Sequence, residues 1–158
     1  MPPIENDLVI SPIILDSGPL GSIVHPRPNP KIYTWFQQII ALDVKVILPE
    51  IADYELRREL LHQDFTKAIE RLNRIKENLI YLPLNTQAML KAAELWANAR
   101  KRGQATADMS ALDIDVILAA QALQVQAIVV TENVKHISRY APAKRWEEIA
   151  EMLNLETG

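Results

Sequence analysis

Several oxygen-bearing side chains in this chain stand where apolar runs begin or end. Asp16 closes "VISPIILD"; Glu50, Asp53 and Glu55 open "EIADYELRRELLHQ"; Asp113 and Asp115 head "LDIDVILAAQAL"; and Asn133 follows "QAIVVTE". Carboxylates gathered in one place repel one another unless a cation holds them. The chain has no cysteine, and His25, His62 and His136 are scattered without ligand spacing. Hard oxygen ligands alone suit Mg²⁺ or Mn²⁺. A carboxylate cluster around such an ion is hardware for phosphoryl transfer, because the ion readies a water and offsets charge on the phosphate.

Each position also has a purely structural use. Asp16 could cap a turn after its strand. Glu50 lies in the first turn of its helix, where a carboxylate favours the dipole. Glu55 is flanked by Tyr54 and Leu56, as a solvated surface residue would be. Ser110-Ala111-Leu112-Asp113 fits the capping-box pattern, so Asp113 could serve a helix terminus. Asp115 has no such use. Residues two apart differ by about 200° around a helix, so Asp113 and Asp115 point different ways. The "VILAAQAL" that follows is apolar nearly all round, and a carboxylate at its head faces a site rather than bulk water.

The elements that must position these groups can be read from periodicity. Apolar runs ending at Asp16, at Val44 to Pro49, in "LIYLPL" and in "QAIVVT", the first of them rich in β-branched residues, predict four strands. Between them lie amphipathic stretches: "KIYTWFQQIIAL", "EIADYELRRELLHQ", Asp64 to Asn78, and a helix capped by Asn85 and stopped at Gly103. "QATADMS" reads as a loop leading into the Asp115 helix, which runs to about Leu123. "AKRWEEIAEML" reads as a C-terminal helix, and the last three residues as frayed. "HPRPNP" is a loop, and turn residues follow Asp16. Continuously apolar strands alternating with helices predict an α/β fold: a three-layer α/β/α sandwich on a central parallel sheet of four or five strands. Ligands of such sheets bind beyond the carboxyl ends of the strands, at a topological switch point.

The bulk properties set outer limits. With 158 residues the chain is expected to form a single domain over 1–158. A formal net charge of −3 is not the footprint of a protein that holds nucleic acid by bulk positive charge. No apolar run approaches the ~20 residues of a membrane span, and "MPPIENDLVI" lacks the pattern of a signal peptide, so a cytoplasmic location and no membrane contact are expected. Trp35, Trp96 and Trp146 read as core or interface residues. The basic "ARKRG" reads as dipole compensation at a helix end.

Four of these stretches, in order, resemble the motifs of PIN-domain nucleases. "IILDSGPLGSIV" resembles their opening strand with its Asp. "ILPEIADYELRREL" resembles a second motif in which a Glu precedes Leu-Arg, which picks Glu55. "DVILAAQALQVQAIVVTENVKHI" resembles the third and fourth motifs, which pick Asp115 and Asn133. The resemblance spans roughly Ile13 to Ile137. It implies a metal-dependent ribonuclease, often a homodimer, and often the toxin of a VapC-type pair with an antitoxin protein. It implies that Asp16, Glu55 and Asp115 bind Mg²⁺ or Mn²⁺, with Asn133 beside the ion and Thr131 in support. Asn133 stands where many members carry Asp, and His136-Ile137 where they carry Asp-Phe. The resulting expectation is an endoribonuclease with Asp16, Glu55, Asp115 and Asn133 in its catalytic site. RNA would reach the acidic site through the metal and nearby Lys135, Arg57 or Arg58. The alternative is a catalytically weak nucleic-acid-binding or protein-interaction module that keeps the fold. A small-molecule-binding α/β domain is a third reading, but "DSGPLGS" carries its glycines at the wrong spacing for a dinucleotide or phosphate loop.

Overall fold

The structure, a computed structural model, describes residues 10–103 and 109–155, with only the backbone of 109 and 110. Five parallel strands form one sheet: β1 (Ile13–Leu15), β2 (Val46–Pro49), β3 (Ile80–Leu82), β4 (Ile128–Val130) and β5 (Ala143–Lys144), in the order β3-β2-β1-β4-β5. The chain first builds outward from β1 through β2 to β3. It then returns to place β4 on the other side of β1, aligning Ile13, Ile14 and Leu15 with Ile128, Val129 and Val130. The switch point therefore lies between β1 and β4, and their carboxyl ends are where Asp16 and Thr131 emerge.

Alternation within the strands assigns the layers. Ile13, Leu15, Val46, Leu48 and Val130 face a core shared with α1 (Ser17–Val24), α2 (Pro30–Ala41), α3 (Glu50–His62), α4 (Thr66–Lys76) and α8 (Trp146–Met152). Ile14, Ile47 and Val129 face the opposite core, filled by Leu118, Ala119 and Ala122 of α6 (Met109–Gln124) and Ile137 of α7 (Val134–Ile137). α5 (Thr86–Lys101) packs on the outside of α6 through Ala92, Ala99 and Val116. The result is the three-layer sandwich, with β5 as its fifth strand.

Three parts differ from the sequence reading. The turn expected after Asp16 is the eight-residue helix α1; Gly18 and Pro19 sit in its first turn, where the backbone N–H groups have no helical partner to lose. "AK" at the head of the expected C-terminal helix is instead β5, and α8 starts at Trp146. Ser110 already lies inside α6, so Ser110 and Asp113 do not occupy the cap positions of a capping box. Asn85 does cap α5, its side chain accepting from Ala88 N at 2.9 Å. The loop at 104–108 and the expected fraying at 156–158 lie outside the described residues.

Candidate metal centre

Asp16 is held from three directions. Its backbone N–H donates to Val130 O at 3.0 Å, across the switch point. One carboxylate oxygen caps α1 by accepting from Ser17 N at 2.7 Å. The other accepts from the Thr131 hydroxyl at 2.7 Å. Thr131 is fully buried, and the same hydroxyl oxygen accepts the backbone N–H of Asn133 at 2.9 Å. One threonine thus fixes both the Asp16 carboxylate and the turn leaving β4.

Glu55 comes from the second turn of α3, on the flank that faces α1. The Ser17 hydroxyl donates to its carboxylate, so Ser17 joins Asp16 and Glu55 through its backbone and its side chain. Gly21 of α1 faces Leu56 of α3, where a Cβ would make van der Waals contact with the leucine side chain at 3.4 Å.

Asp115 reaches the crevice from the opposite layer, on α6, where it is half-buried while Asp113 is exposed. Burial, and then the negative charges of Asp16 and Glu55, push its carboxyl up to about 7. Asp16, Glu55 and Asp115 therefore share one electrostatic environment, though they belong to three separate elements. Among the described residues, no three acidic or imidazole side chains are drawn together tightly enough to hold an ion as they stand. The donor set nonetheless fits a hard dication: its ligands are all oxygen, and the burial and like charges that raise the Asp115 carboxyl are both offset by an added positive charge.

Asn133 is exposed, and its side chain does not cap α7. Glu132, which no sequence motif singles out, is exposed as well. Its carboxylate lies over the first turn of α1, with Cδ and Oε2 both 3.9 Å from where a Cβ on Gly18 would stand.

The remaining acidic candidates go elsewhere. Glu50 accepts from the Tyr81 hydroxyl at 2.8 Å and from Leu84 N at 2.9 Å, tying α3 to the end of β3. Asp53 is buried between Arg57 at 2.7 Å and Lys76 at 3.1 Å. Burial raises the Asp53 carboxyl, but the hydrogen bonds and charges of the two cations outweigh it and leave the group below the ordinary value. Arg57, expected to be free for RNA, is thus committed to Asp53 and to Asn73 at 2.8 Å. Arg58 lies over the Tyr54 ring at 5.2 Å, and Lys135 is exposed. Trp35 is buried against Trp146 at 5.8 Å. Gln121 was hidden in an apolar run. It is fully buried, accepting from Ile51 N at 3.3 Å and donating to Leu82 O at 2.9 Å, and it locks α6 to α3 and β3.

A parallel α/β/α sandwich with carboxylates converging on its switch point defines the class of molecule. The chain belongs to the PIN domain family, a family of nucleases, whose pattern matches residues 13–141. A chain of VapBC2 from Rickettsia felis, solved bound to a DNA fragment from the promoter, has a similar fold with a TM-score of 0.70 and 15% identity, over 85% of this chain and 98% of that one. A chain of FitAcB from Neisseria gonorrhoeae gives 0.67 and 20%, over 85% and 98%. A chain of DNA-bound VapBC from Salmonella typhimurium gives 0.64 and 20%, over 87% and 99%. Comparison with curated proteins gives no match. Among the described residues no helix is long and apolar enough to cross a membrane.

Proposed function

We propose that this protein is a Mg²⁺- or Mn²⁺-dependent endoribonuclease in which Asp16, Glu55 and Asp115 hold the metal. The observation that carries this reading is geometric: Ser17 bonds Asp16 through its backbone N–H and Glu55 through its hydroxyl, and Asp115 lies near enough on α6 for both carboxylates to add to the effect of its burial. A bound divalent ion supplies Lewis acidity toward a phosphate oxygen and a lowered pKa for an attacking water. The chain's own residues supply the rest. Thr131 and the backbone of Ser17 each bond one oxygen of Asp16, fixing its carboxylate plane before any ion binds. Ser17 aims Glu55 into the same crevice. Asn133, at the rim, offers an amide that can orient the water or complete the shell without adding charge.

The similar folds in VapBC and FitAcB support an antitoxin protein as partner, with this chain as the toxin; the proposal extends to a homodimer working in the cytoplasm. The second reading, a catalytically weak binding module on the same fold, draws on the uncharged Asn133 and on the absence of a preformed ligand cage among the described residues. Incubating purified protein with single-stranded RNA and Mn²⁺, beside Asp16→Asn and Asp115→Asn variants, separates the two. Cleavage lost in both variants supports the nuclease. RNA binding without cleavage in wild type supports the module.

A further inference from the structure

A second cleft, on the other flank of α3, has a makeup that neither the metal centre nor the core explains. It measures about 490 Å³ and lies between the start of α3, the end of α4 and β3, with Tyr54, Tyr81, Arg57 and Lys76 among its walls. We propose that it is a subsite for one unstacked nucleobase of the single-stranded RNA strand cleaved at the neighbouring site. The inference rests on the nuclease reading.

The wall at Tyr81 is rigid. Its hydroxyl is fixed to Glu50 at 2.8 Å, and Lys76 Nζ sits 4.2 Å from the ring centroid. Tyr54 forms the rim: it is 54% exposed, contributes nothing to the core, and directly precedes Glu55 in the chain. Arg58 lies against its ring. Tyr54 and Tyr81 both line the cleft; with Lys76 over the Tyr81 ring, the exposed ring of Tyr54 offers the face on which a base stacks, whatever its sequence.

Charge decides between base and phosphate. Glu50 and Asp53 match Arg57 and Lys76, and both cations already bond to Asp53. The cleft has no surplus positive charge for an anion, so a flat neutral ligand suits it better. Arg57 spends two of its N–H groups on Asp53 and Asn73, which leaves donors for the acceptor edge of a base. A helix with its side chains is about 10–12 Å across. A strand whose phosphate lies at Glu55 therefore reaches the cleft by crossing the α3 ridge at Tyr54.

The test is anisotropy of fluorescein-labelled single-stranded RNA with Ca²⁺ in place of Mn²⁺, so that a hard dication still offsets the carboxylates, with the RNA shown intact on a gel so that binding is read without cleavage. Tyr54→Ala should weaken binding roughly ten-fold. Tyr54→Phe, which keeps the stack, and Leu61→Ala, an exposed control on the same helix, should bind as wild type. Moving a single abasic position along the oligonucleotide should find one site that weakens wild type but not Tyr54→Ala. Wild-type affinity in Tyr54→Ala, or a Tyr54→Phe as weak as the alanine variant, overturns the subsite. If Asp16→Asn still abolishes cleavage in that case, the nuclease reading stands alone. Wild-type protein that neither binds nor cleaves RNA overturns both.

Discussion

Thr131 and Asp16 are 115 positions apart in the chain, yet the Thr131 hydroxyl donates to the Asp16 carboxylate at 2.7 Å. This bond closes the switch point: it joins the ends of β1 and β4 at the place where the sheet reverses its direction of growth. Replacing Thr131 by Val leaves the Asp16 oxygen and the Asn133 N–H without their partner. The expected loss is about 2 kcal/mol in denaturant unfolding, with Mn²⁺ affinity falling as well. Thr131→Ser should restore most of both, and a Val variant with unchanged Mn²⁺ affinity would show that Asp16 needs no such fixing.

The acidity of Asp115 makes metal-free stability depend on pH. Its carboxyl is pushed up to about 7 by burial and by its neighbours, above the ordinary 3.8. Between those values the folded state holds a proton that the unfolded state releases, so stability falls as pH rises through this window. In EDTA, wild type should melt at lower temperature at pH 8 than at pH 5.5, relative to Asp115→Asn, which lacks the titration. Excess Mg²⁺ should flatten the difference. Parallel pH profiles for wild type and Asp115→Asn in EDTA would contradict the shared environment.

Asp53 is acidic and buried on the helix that carries Glu55, but it belongs to the scaffold. Asp53→Asn should cost about 2 kcal/mol, less than breaking a wholly buried pair because Arg57 and Lys76 remain part-exposed. Its depressed carboxyl means that this contribution is present at neutral pH and is lost only as pH falls below the ordinary carboxylate range. Per folded molecule, Mn²⁺ binding should be unchanged, which calorimetry with the variant can verify.

Gln121 gives a further stability test. Gln121→Ala strands Ile51 N and Leu82 O in the core and leaves a void, for an expected loss of about 3 kcal/mol measured by urea unfolding. A loss within the range of an exposed substitution would mean that water replaces both bonds.

Four of the five strands and the layer order are legible in the sequence: β1, β2 and β4 are mostly buried and rich in β-branched residues, β3 shows only as a short apolar run because it is a part-exposed edge strand, and the amphipathic helices show their period. The two-residue β5 is too short to carry any period, and its residues, Ala143 and Lys144, look helical. α1 is hidden because "SGPLGS" has the composition of a turn; what supports the helix is Asp16 capping its first turn and the burial of Leu20, Ile23 and Val24 in the core. At the site, places at element ends offer Asp16 and Asp115 along with Glu50, Asp53 and Asp113, and only the resemblance to PIN-domain motifs picks Glu55 from the acidic residues of α3. Sequence could not show that Arg57 is claimed by Asp53, nor that Glu132 overlies α1, because both depend on which flank of a helix meets which neighbour. Gln121 was unreadable for a similar reason: its partners are backbone groups on other elements, and backbone groups leave no mark in sequence.

The proposed metal centre requires Asp16, Glu55 and Asp115 to hold the ion together. Isothermal titration of the purified protein with Mn²⁺ should show a bound ion in wild type, and near-complete loss of that binding in Asp16→Asn, Glu55→Gln and Asp115→Asn alike, with each variant folded by circular dichroism. Wild-type Mn²⁺ affinity retained in any of the three would contradict it.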